Sequence, residues 1–472
     1  MSEGRAIFAR MTDQHADQHA VIHGSVAIVV SLDTKGEEAA FVRDQILGHR
    51  HATLFIDTGV IGEPRVPLGP HDVPASEVAR AAGTTLQALR DRADRGEAVA
   101  AMGRGAAIIL RDLHERHYPG TDTRVIAGAI GIGGSAGASV ASAALGALPL
   151  GVPKLLVSTV LSGNVAPYVG TADLMMLPSV TDIAGLNRMS RVILSNAAGA
   201  ISGAVMAHRA LLASPPAADR PMIGASMFGN TTRLVDGARA LLETAGYEVV
   251  VFHATGTGGR TLERLASDGI LAGVYDVTTT EWADELCGGI FGAGPTRLDG
   301  AGLRGLPQVI APGCVDMVNF GGMETVPAHY RNDPSRRFHV WNPQVTLMRT
   351  TPAENAELGR ILAEKANAAR GPVEVFLPLR GVSILDSVTD AGPQAFWWPE
   401  ADAALRQALH THLRPGIPLH EVDANINDQA FIEATSDAML RLSEAQRAYK
   451  SGGVGERSEG YGLIPDHHRP PP

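Results

Sequence analysis

The sequence predicts an α/β protein of two Rossmann-like, doubly wound lobes in tandem, each on a mostly parallel sheet. Three observations carry this reading. At 472 residues the chain exceeds the size at which one hydrophobic core stops growing. Short apolar runs rich in β-branched residues alternate with helical stretches along its length, which is the grammar of parallel β-loop-α units. The 53 glycines and 29 prolines, beside only 5% aromatic residues, suit many tight strand-to-helix turns.

Bulk properties narrow the function classes. A formal net charge of −10 argues against nucleic acid as a partner, since a phosphate backbone calls for a basic surface. The two cysteines, Cys287 and Cys314, are too few for a disulfide framework and too far apart for a metal knuckle, which predicts a reducing, cytoplasmic setting. Residues 1–24 read as a polar, flexible leader with no apolar segment of signal-peptide length. His15, His19 and His23 would align on a helix, but nothing nearby orders a metal site. The most membrane-like stretch, 140–161, is interrupted by Pro149, Gly151, Pro153 and Lys154, so no membrane span is expected.

The first lobe is expected over residues 25–213. The run 25–31 is a strand, 32–36 a loop and 37–47 a helix, which puts Asp33, Thr34 and Lys35 at the strand's carboxyl end, where open α/β sheets bind ligands. Lys35 suits a phosphate and Asp33 a metal or ribose. The alternative is that Asp33 or Thr34 only caps the helix. A second strand, 52–56, ends at Asp57-Thr58-Gly59. Helical pieces at 76–81 and 84–95 lead to Met102-Gly103-Arg104-Gly105, and Arg104, between glycines before a helix at 106–117, is a candidate anion contact.

The central stretch follows. A strand over 124–130 runs into Gly131-Ile132-Gly133-Gly134-Ser135-Ala136-Gly137-Ala138-Ser139 and then a helix over 138–148. Glycines let backbone N–H groups approach an oxyanion closely, the helix dipole adds attraction, and Ser135 and Ser139 add hydroxyls. The pattern is neither a strict GxGxxG dinucleotide unit nor a Walker loop. Taken alone it is equally a turn that lets a helix pack tightly on a strand. A strand at 154–159 ends at Ser158-Thr159, segment 173–178 follows, and the helix 182–212 closes the lobe. Convergence of small, hydroxyl and charged residues on one sheet edge points to a nucleotide.

Residues 214–220, with Pro215 and Pro216, read as a linker. The second lobe, 221–450, restarts the grammar with strands at 222–226, 247–252, 271–275, 309–311, 338–341 and 373–377, and with closing helices at 401–413 and 428–447. Its strand ends carry Cys314, Asp316, Arg349 and Arg380. Cys314 with His253, His329 or His339 is a candidate nucleophile and base, although a lone cysteine is usually a small core residue. Arg349 and Arg380 suit an anionic substrate, or are structurally paired. The tail, 451–472, reads as disordered.

SLDTKGEE at 31–38, DTGV at 57–60, GIGGSAGAS at 131–139, KLLVSTVLSGNVAPYVGTADL at 154–174 and DIAGLNRMSR at 182–191 resemble the tomato mosaic virus resistance protein-like ATP-binding family. APGCVDMVNFG at 311–321, NPQVTLMRTT at 342–351 and LPLRGVSILD at 377–386 extend the resemblance, which covers about residues 25–440. It implies two Rossmann-like subdomains, with ATP and Mg2+ in the first, held by Asp33, Thr34 and Lys35 with the loop Gly133, Gly134, Ser135, Ala136, Gly137, Ala138 and Ser139. To these the reading of the residues adds Gly103, Arg104 and Thr159, with Asp33 as the metal ligand. Here Ser135-Ala136-Gly137-Ala138 replaces a more continuous glycine run. Plant members bind and inhibit a viral replication protein, and carry a further TIM-barrel region resembling phosphoenolpyruvate-using enzymes, which implies a TIM-barrel protein as a separate partner.

Three functions are therefore expected in competition. The first is an ATP-dependent enzyme with a small anionic substrate near Cys314, Asp316, Arg349 and Arg380. The second is an ATP-responsive protein-binding module without turnover, and the third a non-nucleotide hydrolase or lyase using the second lobe. A homo-oligomer, dimer or tetramer, is the prior for such a protein.

Overall fold

The computed structural model describes residues 24–118, 121, 123–213 and 220–452. The leader with its three histidines, the linker and the tail lie outside the described residues, apart from Gly24, Arg220 and residues 451–452. The chain divides between Ala217 and Ala218 into two compact units.

In the first unit, strands β1 (Ser25–Val30), β2 (Ala52–Asp57), β3 (Ile126–Gly133), β4 (Lys154–Ser158) and β5 (Met175–Pro178) form one sheet in the order β2-β1-β3-β4-β5. Every pairing is parallel. Its strands read as near-continuous apolar runs because both faces are covered. Helices Ala75–Ala81, Arg95–Glu115 and Ser135–Gly146 supply one face's core, around Val78, Leu110 and Ala141, while Leu32–Gly48 and Arg188–Ala213 supply the other, around Val42 and Leu194.

Several element boundaries differ from the sequence reading; residues 32–36, expected as a loop, open the helix Leu32–Gly48. Met102-Gly103-Arg104-Gly105 is no loop but the interior of the single helix Arg95–Glu115. Its glycines serve packing: a Cβ on Gly105 would lie 1.9 Å from the carbonyl oxygen of Val78, and one on Gly103 would lie 3.3 Å from the Cβ of Ala143. The central helix starts at Ser135 instead of 138. The closing helix starts at Arg188, because Asn187 Oδ1 accepts from the N–H groups of Met189 and Ser190, both at 2.9 Å, and so fixes the start.

The second unit repeats the design with β6 (Met222–Met227), β7 (Glu248–His253), β8 (Gly273–Thr278) and β9 (Gln308–Gly313). Strands β10 (Met317–Phe320), β11 (Phe338–Asn342) and β12 (Val345–Arg349) form a separate antiparallel sheet, β10-β12-β11. Residues 338–341 are thus not part of the parallel sheet. Pro343-Gln344 makes a tight hairpin instead, with Asn342 Oδ1 accepting from the N–H of Gln344 at 2.8 Å. The parallel sheet continues with β13 (Val373–Pro378) and, after the small hairpin β14 (Val388–Thr389) and β15 (Gly392–Pro393), ends with β16 (Leu419–Val422), in the order β16-β13-β9-β8-β6-β7. Each parallel sheet reverses its strand order beside its first strand, so each has one switch point, β1/β3 in the first unit and β6/β8 in the second.

Candidate functional site

Open α/β sheets bind ligands outside the carboxyl ends of the strands, at the switch point. In the first unit that position is an open cleft of about 1030 Å³. Its floor comes from the ends of β1, β2, β3 and β4. Asp33, Thr34 and Lys35 line it after β1, Thr58 after β2, residues 132–137 after β3 and Thr159 after β4.

The β3 turn is built for close approach. A Cβ on Gly133 would lie 2.7 Å from Cα of Gly137, so only glycine fits there. Gly134, at φ −75° and ψ −160°, starts the helix Ser135–Gly146 with no side-chain cap. The first helical N–H groups have no intrahelical acceptor, and here they open on the cleft with the positive end of the helix dipole.

Asp33, in the first turn of the helix Leu32–Gly48, lines the same cleft as this helix start. Its Oδ2 accepts from the N–H groups of Ile61 at 3.0 Å and Gly62 at 3.1 Å, whereas its buried Oδ1 has no partner among the described residues. The side chain is therefore held through one oxygen, while the other is packed beside Gly59 without a hydrogen bond of its own among the described residues. Asp57 does different work: its Oδ1 accepts from the N–H groups of Leu32 and Gly59, each at 2.9 Å, tying the ends of β1 and β2 together. Burial pushes its carboxyl above the usual range. Lys35 breaks the helix Leu32–Gly48 at φ −124° and ψ 24°, which separates the first turn, carrying Asp33 and Thr34, from the rest.

Most of the expected cleft residues converge, and four do not. Gly103 and Arg104 sit within a helix, with Arg104 exposed and outside the cleft lining. Ala138 is buried in the core, and the Ser139 hydroxyl donates to the carbonyl oxygen of Ser135 at 3.1 Å, inside the helix. In place of Arg104 the lining has Arg90 and Arg95, with Asp94 and Asp182 as carboxylates beside Asp33. Asp94 caps the helix that Arg95 opens, accepting from the N–H of Glu97 at 3.0 Å. The signal for Arg95 was this Asp-x-x-Glu start, hidden by reading residues 84–95 as one helical piece. Leu89, Val99, Met102 and Val140 give the cleft an apolar side.

Among the described residues no group of three or more His, Cys, Asp or Glu is placed to hold a metal ion. Magnesium does not need one, because it commonly takes one or two carboxylates and completes its shell from phosphates and water. Asp33, which lines the cleft and keeps one oxygen unpaired among the described residues, is a carboxylate of that kind.

Residues 24–210 match the domain described as Uncharacterised protein family (UPF0261) N-terminal domain, and residues 220–443 match its C-terminal domain. The chain belongs to the UPF0261 family. A UPF0261 protein of Clostridium tetani is 43% identical over 420 residues, which is 89% of this chain and 99% of that protein. The ToMV resistance protein Tm-1(GCR237) of Solanum lycopersicum is 39% identical over 353 residues, 73% of this chain but only 45% of the plant protein. The ToMV susceptible protein tm-1(GCR26) aligns with 39% identity over 352 residues. The resemblance read from the motifs is thereby established, and for the plant relatives it spans less than half of their length.

In this UPF0261 chain the second switch point is closed. Thr231 and Thr278 share a hydroxyl hydrogen bond of 2.8 Å, Ser226 donates to Asp276 at 2.7 Å, and all four are buried. The candidate set of Cys314, Asp316, Arg349 and Arg380 does not assemble an accessible anion site. Cys314 is fully buried in left-handed backbone at φ 57°, and burial drives its thiol far above the ordinary range, so it is packed as a core residue. Arg349 is fully buried and already committed: it donates to the carbonyl oxygen of Phe396 at 2.7 Å, to Thr350 Oγ1 at 3.1 Å and to Asp402 at 2.8 Å, and lies 3.6 Å from Asp386. Arg380 is exposed and paired with Asp423 at 2.7 and 2.8 Å.

Around Arg349 three carboxyls share one cation. Burial and the neighbouring Asp386 push Asp402 up to about 8, and the same two causes raise Asp316; burial raises Asp386 as well. The sign follows from linkage: a carboxyl whose folded pKa is raised holds its proton more tightly when folded, so stability is present at low pH and lost as pH rises. Denaturant midpoints are therefore expected to fall between about pH 5 and pH 8, by at most about 1.4 kcal/mol per pH unit for each proton held. Asp402→Asn should flatten that slope. A wild-type midpoint that does not change over this range would count against the shared proton.

Proposed function

We propose that the first lobe is an ATP-binding unit that takes the nucleotide with Mg2+ at the β1/β3 switch point. The observation that supports it best is the uncapped start of the helix Ser135–Gly146 opening on a large cleft beside the unpartnered Oδ1 of Asp33. In this reading the N–H groups of residues 135–137 take the phosphates, Lys35 and Arg95 add charge, Asp33 holds the magnesium, and the apolar side under Leu89 and Met102 receives the base. The plant relatives support a link to ToMV only through their names.

ATP-dependent turnover of a small anionic metabolite is the first form of this proposal. Its substrate would then not sit on Arg349, which is sequestered. The burial of Cys314, Asp316 and Arg349 favours a second form, in which ATP sets the state of a protein-binding surface without turnover. ADP release on addition of small organic acids would select the first form, and ATP-dependent protein capture without ADP release the second.

The test is the unfolding midpoint with ATP, ADP, AMP, GTP and phosphate, with and without magnesium. A ligand at about 100 times its Kd adds about 2.7 kcal/mol, which for a lobe of this size is roughly 5–10 °C. Asp33→Asn should abolish the increment due to magnesium while leaving the magnesium-free shift. No shift with any nucleotide at millimolar concentration would overturn the proposal.

A further inference from the structure

A second cavity lies at the opposite edge of the second sheet from any switch-point crevice. It is bounded by Tyr247, which precedes β7, by Gly269 in the turn before β8, and by Arg304 in the turn before β9, so it marks the amino ends of the strands. The helix Gln429–Gly452 closes it with Ser443, Gln446 and Arg447. The volume is about 170 Å³, enough for one small oxyanion with a few waters at about 30 Å³ each.

Two independent features give it chemistry. Tyr247 is 2% exposed and Ser443 is 3% exposed, and the hydroxyl of each is buried with no hydrogen-bond partner among the described residues. Buried hydroxyls left unpaired are costly, and a native structure normally satisfies them with protein, water or ligand. Beside them stand two arginines, Arg304 and Arg447, to which no carboxylate is bonded among the described residues. Arg447 places its guanidinium 4.5 Å over the Tyr247 ring, an arrangement that uses the flat face of the cation and leaves its in-plane N–H groups available. Arg304 Nη2 would lie 2.4 Å from a Cβ on Gly269, so the left-handed glycine (φ 77°) makes the room this arginine occupies. Gln446 is already used, donating to the carbonyl oxygen of Gly305 at 3.3 Å.

We infer that this cavity is a binding site for a small tetrahedral oxyanion of the phosphate class, held by Arg304 and Arg447 and by the hydroxyls of Tyr247 and Ser443. Donors from three separate segments suit an acceptor that presents oxygens in several directions better than a planar carboxylate. The site is separate from the first-lobe cleft and does not depend on the ATP reading. Because it joins the turns before β8 and β9 to the helix Gln429–Gly452, anion binding would tighten the second lobe.

The test uses the full chain carrying Gly134→Val, so that the first-lobe cleft contributes nothing, and titrates it calorimetrically with phosphate, sulfate, acetate and chloride at matched ionic strength. Saturable binding of phosphate and sulfate, weaker for acetate and absent for chloride, is expected. Arg304→Gln with Arg447→Gln should weaken phosphate at least tenfold; both side chains are exposed, so the fold is retained. Tyr247→Phe should weaken it several-fold while preserving the ring under Arg447. No saturable phosphate binding in the Gly134→Val protein, or unchanged binding in the double arginine variant, would overturn the site. Loss of the ATP response in the same Gly134→Val protein would bear on the first lobe alone.

Discussion

Replacing Arg349 with methionine is expected to destabilise the second lobe by about 3–5 kcal/mol at pH 8, the usual range when one partner of a buried ionic group is removed. The methionine fills much of the same volume, so the loss is electrostatic more than steric. Without the guanidinium, Asp316, Asp386 and Asp402 have no cation within their cluster, and the carbonyl oxygen of Phe396 loses its 2.7 Å donor. Oδ1 of both Asp316 and Asp386 already lacks a hydrogen-bond partner among the described residues. The deficit should shrink towards pH 5, where the carboxyls take up protons instead. Adding Asp402→Asn to Arg349→Met should recover part of the stability at pH 8 and little at pH 5. Urea midpoints of the four proteins at the two pH values test this, and an Arg349→Met protein as stable as wild type at pH 8 would refute it.

The same cluster explains why Arg349 and Asp316 read as site residues in a lobe whose fold the sequence predicts correctly. Arg349 ends a strand and Asp316 follows one, as ligand-binding residues do, and nothing in their local pattern distinguishes a substrate arginine from one buried against three aspartates. The partners that decide the matter, Asp386 and Asp402, lie 37 and 53 positions away from Arg349 and are brought together only by tertiary packing. The strands and helices were legible because burial on both sheet faces writes itself into continuous apolar runs. The strand order was not legible, since a β-loop-α grammar is the same whichever way the sheet is wound. Arg104 shows the converse error. Glycines flanking an arginine suggested an anion loop, whereas they are the close-contact positions of a helix packed on Val78 and Ala143. Asp33, Lys35 and the 133–137 turn were found because a strand end, a glycine turn and a helix start are adjacent in sequence as well as in space.

The glycine turn supplies the second large expected effect, and its two leading glycines should respond differently. Gly134 has open space where a side chain would go, its nearest atom being Thr159 Oγ1 at 3.9 Å, and its backbone angles lie outside the left-handed region. Gly134→Val should therefore fold with near wild-type stability while placing an isopropyl group among the N–H donors of the helix start. Loss of the entire nucleotide-induced shift in melting midpoint is the expected result, for ADP as well as ATP. Gly133 offers no such room, because its Cβ would meet the backbone of Gly137 at 2.7 and 2.9 Å. Gly133→Val should damage the fold itself, by a few kcal/mol as overpacking does, and lose binding only through that damage. If Gly134→Val keeps the full response, the helix start is not where the nucleotide's phosphates sit. If both variants unfold alike, the turn is a packing device first, and the cleft's chemistry must then be tested through Asp33 and Lys35.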